Sequence, residues 1–368
     1  MKKINWWNLK LKNKNIRRLE KAFSNKNLSC GPITKNVETK IQNILNTKYT
    51  TLTTSGSVAL LIALKSLRLK KNSEVIVPNR TFQATANAVV MAGLKAKLVD
   101  TNSTDGTISF NEVKKSITKK TSAIIAVHLN GRHADIIRLK KLCKKNKIFL
   151  IEDAAQAFYS KYKKKYLGTF GDIGCFSFGV TKFLTTGQGG LVTTQSKKLH
   201  LEIKKYLFHA QSGSDLKTFK TFGFNFRSTD LLNSLACEQL NDLDVTKKKF
   251  IKVYSFYLKE LKNISGIKML ESNIKIGEVP IWIEVLTPNR DELFLFLKSY
   301  NIETFKFYLS LNKSPYLKQK KTKYPNSDLF EKQGLILPCG PDISISDCRT
   351  VIKYIKKFFF SVGSSDEN

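Results

Sequence analysis

The chain has 368 residues, 42% of them hydrophobic and 11% aromatic, which excludes an intrinsically disordered polymer and leaves ample material for a large core. Its formal charge of +34 is spread over lysines in almost every surface-forming segment. That distribution argues for a solvated surface over a nucleic-acid patch, although the overall field favours a doubly negative small substrate.

No apolar run reaches the ~18–20 residues needed to span a bilayer, and none of signal-peptide length follows the basic start, so the expected compartment is the cytoplasm. The six cysteines (Cys30, Cys143, Cys175, Cys237, Cys339 and Cys348) form no C-x-x-C pair, and the four histidines are equally scattered. Neither a disulfide framework nor a metal site is expected.

Residues 1–27 read as a basic arm and first helix, with Trp6 and Trp7 as anchors. From Tyr49 the pattern alternates between strands at 49–53, 74–78, 96–100 and 123–128 and helices at 56–67, 83–93, 110–117 and 135–145. A further buried strand, Lys147-Ile-Phe-Leu-Ile-Glu-Asp153, ends in an acid. Such βα alternation predicts a mostly parallel sheet with helices on both faces, where ligands collect at the carboxyl ends of the strands. Lys161-Tyr-Lys-Lys-Lys-Tyr166 is the densest basic run and reads as a solvated hairpin. Residues 230–244 read as a helix leaving this domain, with the boundary near Thr246 and a long helical stretch from Lys247 towards Leu261. Strands near 268–270 and 280–285 and helices at 291–300 and 346–360 suit a smaller α+β domain. The tail from Ser361 to Asn368 is expected to fray.

The most informative segment is Ser177-Phe-Gly-Val-Thr-Lys182-Phe-Leu-Thr-Thr-Gly187-Gln-Gly189-Gly190. It follows the strand Gly174-Cys-Phe-Ser-Phe178 and leads into Leu-Val-Thr-Thr194. Lys182 supplies an amine able to form a Schiff base, and Asp153 supplies a carboxylate able to keep a pyridine nitrogen protonated. Ser177 and the glycine-rich turn suit a phosphate. Together these are what pyridoxal phosphate (PLP) requires of a protein. The helix opened by Ser55, Gly56 and Ser57 offers backbone N–H groups and hydroxyls for a phosphate, and the same residues serve equally as N-caps.

These motifs resemble the DegT/StrS-type sugar-nucleotide aminotransferases, which have PLP fold type I. The likeness runs in order from Leu28-Ser-Cys-Gly-Pro32 through Thr54-Ser-Gly-Ser57, Pro78-Asn-Arg-Thr-Phe82-Gln-Ala-Thr-Ala-Asn87 and Val127-His-Leu-Asn-Gly131. It continues through Gly223-Phe-Asn225-Phe-Arg227 and Glu238-Gln-Leu-Asn-Asp-Leu-Asp244 to Leu335-Ile-Leu-Pro338.

The resemblance implies a large PLP-binding domain over 1–245 with a seven-stranded type of sheet, and a small domain over 246–368. It makes Lys182 and Asp153 the catalytic pair and adds Ser55, Gly56, Ser57, Phe82 (against the ring), Gln156 (near the 3′-hydroxyl), Ser177 and Asn225 as cofactor residues. His209 and Arg227 are substrate candidates, although Ala210 stands where a glycine is common and Gln188 where glutamate is frequent. The implied reaction moves an amino group, usually from glutamate, to a nucleotide-linked keto-sugar, most commonly a 4-keto-6-deoxyhexose, for surface polysaccharide or O-antigen. The 223–227 motif implies a homodimer with shared sites. Dehydratases of the same fold carry histidine in place of the lysine, and Lys182 argues against that chemistry. A polyanion-binding or regulatory protein on this fold is the other alternative, which the intact Asp153, Gln156, Ser177 and Lys182 set disfavours.

Overall fold

The computed structural model describes residues 2–210, 222–319 and 323–363, with side chains up to residue 360 at that end. After α1 (Asn13–Ser24) and α2 (Pro32–Leu45), the chain builds β1 (Tyr49–Thr53), α3 (Gly56–Ser66), β2 (Glu74–Pro78), α4 (Ala84–Met91) and β3 (Lys95–Val99). Next come α5 (Phe110–Ser116), β4 (Thr121–Val127), α6 (Ile136–Asn146) and β5 (Phe149–Asp153). A short hairpin, β6 (Lys161–Tyr162) and β7 (Lys165–Tyr166), occupies the basic run, and β8 (Ile173–Ser177), β9 (Gly190–Thr194) and α7 (Lys197–Leu207) follow.

Seven of these strands form one sheet in the order β1-β9-β8-β5-β4-β2-β3, as the resemblance implied. Only β9 runs against its neighbours. The sheet is covered on both faces, because its strands are β-branched and apolar on both sides. Ile124, Leu150 and Phe176 enter one buried cluster, while Ile125, Ile151 and Cys175 enter another beneath α3 and α4.

The second half contributes α8 (Asp230–Gln239), α9 (Leu243–Leu261), β10 (Lys268–Met269), β11 (Ile283–Leu286), α10 (Arg290–Ser299), β12 (Phe305–Lys306), α11 (Pro325–Gln333), β13 (Gly334–Leu337) and α12 (Ile345–Gly363). Its strands make a four-stranded antiparallel sheet ordered β10-β11-β13-β12. The N-terminal arm lies along this sheet: Ile4 pairs with Ile302 and Trp7 with Cys339. One face of the large sheet shares its hydrophobic cluster with Tyr254, Ile283 and Leu335 of this second half, so the two halves pack through a common core.

Two of the elements read from the sequence differ most, and α2, α7, α11, β12 and β13 carried no reading. The helix expected over 230–244 breaks after Gln239, and its last residues open α9 instead. Asn241 and Asp242 are poor helix-interior residues, and the Asp242 carboxylate turns out to meet Lys12 and Lys14. The strand expected from 280 starts at Ile283, because the N–H groups of Ile281 and Trp282 are taken by the Asn130 side chain. At the C-terminus α12 runs to Gly363, and residues 364–368 of the expected tail lie outside the described residues. Among the described residues no helix is long and apolar enough to cross a membrane.

Candidate active site

Strand pairing aligns the carboxyl ends of the sheet. Val127 stands beside Asp153, Asp153 beside Cys175, and Gly190 beside both Ser177 and Thr53. Asp153 is buried; its carboxylate accepts the Thr85 hydroxyl at 2.8 Å and the Ala155 N–H at 3.2 Å. Burial raises its pKa above the ordinary aspartate value, against the pull of these donors and of Lys182.

Lys182 sits in the loop between β8 and β9. Phe178 N–H donates to the Gly189 carbonyl and Thr186 N–H to the Phe178 carbonyl, which closes the loop at its base. Buried Phe183 and Leu184 anchor the turn. Gln239 clamps it by accepting from Thr185 N–H and donating to the Thr185 carbonyl. The Lys182 Nζ lies 5.3 Å from the centre of the Trp282 indole ring. Burial pushes the amine down to about 8, and the Asp153 carboxylate opposes that shift.

The start of α3 faces the same edge. Ser55 is its N-cap, accepting from Val58 N–H at 3.2 Å, and no acid occupies the first turn. A Cβ on Gly56 would come within 2.7 Å of Ser177 Cβ, and one on Gly190 within 2.3 Å of the Ser55 carbonyl. Glycine at both places therefore lets the helix start, β9 and Ser177 crowd together, with the positive end of the helix dipole and the Ser55 and Ser177 hydroxyls alongside. Ser57 is exposed beside them.

Gln156 is buried, and its Oε1 accepts the Asn130 N–H at 2.8 Å. Phe82 is 46% exposed and packs against Tyr308 with ring centres 5.1 Å apart at 66°.

The remaining candidates stand apart. His209 is exposed, with a positive φ of 46°; its N–H bonds the Phe224 carbonyl and its ring meets Phe208. Arg227 covers the Phe208 ring and donates to Asn225 Oδ1 at 3.2 Å. The 225–227 backbone runs along the outer edge of its own chain's β1, where Thr53 pairs with Arg227 and Thr54 N–H bonds the Phe226 carbonyl. Gln188 is exposed.

Sequence reasoning missed Thr85, Asn130, Trp282 and Tyr308. Thr85 and Asn130 lie inside motifs that were quoted but given no role. Trp282 and Tyr308 arrive from the second half of the chain and carry no local signal.

The model of the DegT/DnrJ/EryC1/StrS aminotransferase family matches residues 10–356. The GDP-perosamine synthase of Escherichia coli O157:H7 is 32% identical over 343 residues, covering 90% of this chain and 91% of that protein. The UDP-4-amino-4,6-dideoxy-N-acetyl-beta-L-altrosamine transaminase of Campylobacter jejuni is 29% identical, covering 94% and 93%. The solved Helicobacter pylori aminotransferase of pseudoaminic acid biosynthesis superposes with a TM-score of 0.93 at 22% identity, over 98% of this chain and 100% of that one. With the model spanning nearly its whole length, the chain belongs to the DegT/DnrJ/EryC1/StrS aminotransferase family.

Proposed function

We propose that this chain is a PLP-dependent transaminase that moves an amino group from glutamate to a nucleotide-linked keto-sugar, a 4-keto-6-deoxyhexose, in the making of a surface polysaccharide. The observation that carries this is the half-buried Lys182 amine, brought down to about 8 and set against a buried Asp153 at the edge where α3 begins. Relatives named for GDP- and UDP-linked sugars support the substrate class.

The residues fit PLP. Asp153 is a buried carboxylate short of partners, and a protonated ring nitrogen would supply one. The α3 N–H groups with Ser55, Ser57 and Ser177 would take the phosphate, Phe82 would lie against the ring, and Lys182 would hold the cofactor. Bound PLP supplies an aldehyde to carry the amine and a ring to accept electrons when a proton leaves the amino-bearing carbon. The chain's own part is to place and move protons. A Lys182 amine near 8 is partly neutral at physiological pH, so Nζ can both attack as a nucleophile and shuttle a proton. Asp153 holds its proton-bearing partner in place. The Trp282 ring lies beside the lysine amine.

The protein acts as a homodimer in which Asn225 of one chain serves the phosphate site of the other; the exposed rings of Phe222 and Phe224 beside it support a covered surface. The reading is tested by adding PLP, following a visible absorbance band removed by borohydride, and screening GDP- and UDP-linked 4-keto-6-deoxyhexoses with glutamate. Formation of 2-oxoglutarate and an amino-sugar is expected, and no turnover across the panel overturns it. Sharing is tested with tagged Lys182→Ala and Asn225→Ala chains. Verified heterodimers should regain activity above either parent, and no recovery removes the shared site.

A further inference from the structure

Asn130 follows β4 in a single left-handed turn, with φ 50° and ψ 39°, a conformation asparagine tolerates better than most residues. Its side chain is buried and saturated. Oδ1 accepts the N–H groups of Ile281 (2.9 Å) and Trp282 (2.8 Å); Nδ2 donates to the Trp282 carbonyl (3.0 Å) and to Glu284 Oε2 (3.1 Å). Two amide donors on one side and two oxygens on the other fix the amide orientation.

The partner segment cannot drift. Glu284 is gripped by Arg132 and by Arg80 (3.0 Å), all of them buried or nearly so, and Arg80 is itself held between the rings of Phe307 and Phe330. At the next residue, a Cβ on Gly131 would strike the Val279 carbonyl at 2.2 Å, so the 279–282 backbone presses on this turn. Meanwhile the Asn130 backbone N–H holds Gln156 Oε1, and the Trp282 that it grips lies over Lys182.

We infer that Asn130 is a positioning residue that locks the second half of the chain to the cofactor site, setting Gln156 through its backbone and Trp282 through its side chain. This rests on the reading of Gln156 and Lys182 as cofactor residues. Glycine keeps both the turn and the backbone N–H, so Asn130→Gly removes only the side-chain clamp. His133→Ala is the comparison, because it breaks a different bond between the same halves, His133 Nδ1 to Glu278 at 2.6 Å, away from Gln156.

Both variants and wild type are measured for thermal unfolding without PLP, PLP affinity, the pH midpoint of the visible band, and kcat and KM for glutamate. Asn130→Gly is expected to weaken PLP binding about tenfold, shift the band's pH midpoint and lower kcat about tenfold with KM within about twofold, roughly the loss of one buried polar link. His133→Ala should lose stability with an unchanged band. Because glycine keeps the backbone N–H to Gln156, the side-chain clamp acts through Trp282, and combining Asn130→Gly with Trp282→Leu should add little to Trp282→Leu alone. If Asn130→Gly matches His133→Ala in every readout, the role is merely structural and the inference is overturned. Absence of a borohydride-trapped Lys182 in wild type overturns the cofactor reading, and this inference with it. Should the glycine variant fail to fold, Asn130→Asp, which keeps the turn and the acceptor but loses both Nδ2 donations, carries the same comparison.

Discussion

Glu152 and Asp153 are consecutive residues at the end of β5, both buried, and strand geometry sends them to opposite faces of the sheet. Glu152 is fully engaged: it accepts N–H groups from Gly168, Phe170 and Gly171 and the ring N–H of His128. The tautomer follows from the other ring nitrogen, Nδ1, which accepts the Ala134 N–H. These donors overcome burial and hold Glu152 below the ordinary carboxylate range. Among the described residues Asp153 has Thr85 and Ala155 as hydrogen-bond donors, and burial wins, raising it. A saturated carboxylate fastens a loop, whereas an undersupplied one is left with capacity for a ligand.

The sharpest way to break the contrast is to remove the cation facing Asp153. Lys182→Ala should cut transamination by at least about a thousandfold while leaving the fold intact, since the nucleophile and the proton carrier are one group. Peptide mapping after borohydride reduction should find the PLP adduct on Lys182 in wild type and none in the variant; an adduct on another lysine contradicts the assignment.

Asp153→Asn should retain PLP yet lose about a hundredfold in kcat, because an amide cannot favour a protonated ring nitrogen by charge. Its second signature has a definite sign. Asp153 raises the Lys182 pKa, so its loss should take the amine below about 8 in the PLP-free protein. The pH dependence of Lys182 labelling measures that shift, and a midpoint that stays put or rises refutes it.

Glu152→Gln should do the reverse: destabilise by about 2 kcal/mol at neutral pH, while kcat per folded molecule stays within about threefold. A carboxylate held below its unfolded value gives stability that is present above that value and is lost as pH falls through the folded one. The variant's acid unfolding should therefore be flatter than wild type below about pH 4.5, the ordinary glutamate value. Equal acid slopes would remove Glu152 as the cause.

The lysine and aspartate were legible because each sits in a short local frame: a β-branched strand ending in the acid, and a glycine-punctuated turn around the lysine. The parallel strands were legible for the same reason, as continuous apolar runs bounded by turns. The link from Asn130 to Trp282 was not, since it joins positions 152 residues apart and leaves no period in either segment. It even concealed itself as strand. Residues 280–282 have strand composition, yet the amides of Ile281 and Trp282 serve a side chain instead of a neighbouring strand. The short β12 and β13 were missed although the equally short β10 and β11 were anticipated, so brevity, which leaves little pattern to read, is not the whole cause.

Glu38 extends the comparison to a third carboxylate and gives the smallest effect. It lies on α2 and accepts the Leu52 N–H at 2.8 Å, with Lys204 as its nearby cation. Burial prevails over both and raises it from 4.5 to about 7. The folded chain thus binds this proton more tightly than the unfolded chain does. Stability from this group is fully present below about pH 4.5 and is lost as pH rises through about 7. The ceiling on that loss is about 3 kcal/mol, and relaxation around Lys204 should leave a measured difference of about 1 kcal/mol. Glu38→Gln keeps an oxygen for Leu52 and carries no charge at any pH. Its unfolding free energy should gain about 1 kcal/mol on wild type between pH 5 and pH 8. A difference that is constant with pH would show that Glu38 stays ionised in the fold, and would place it with Glu152 instead of Asp153.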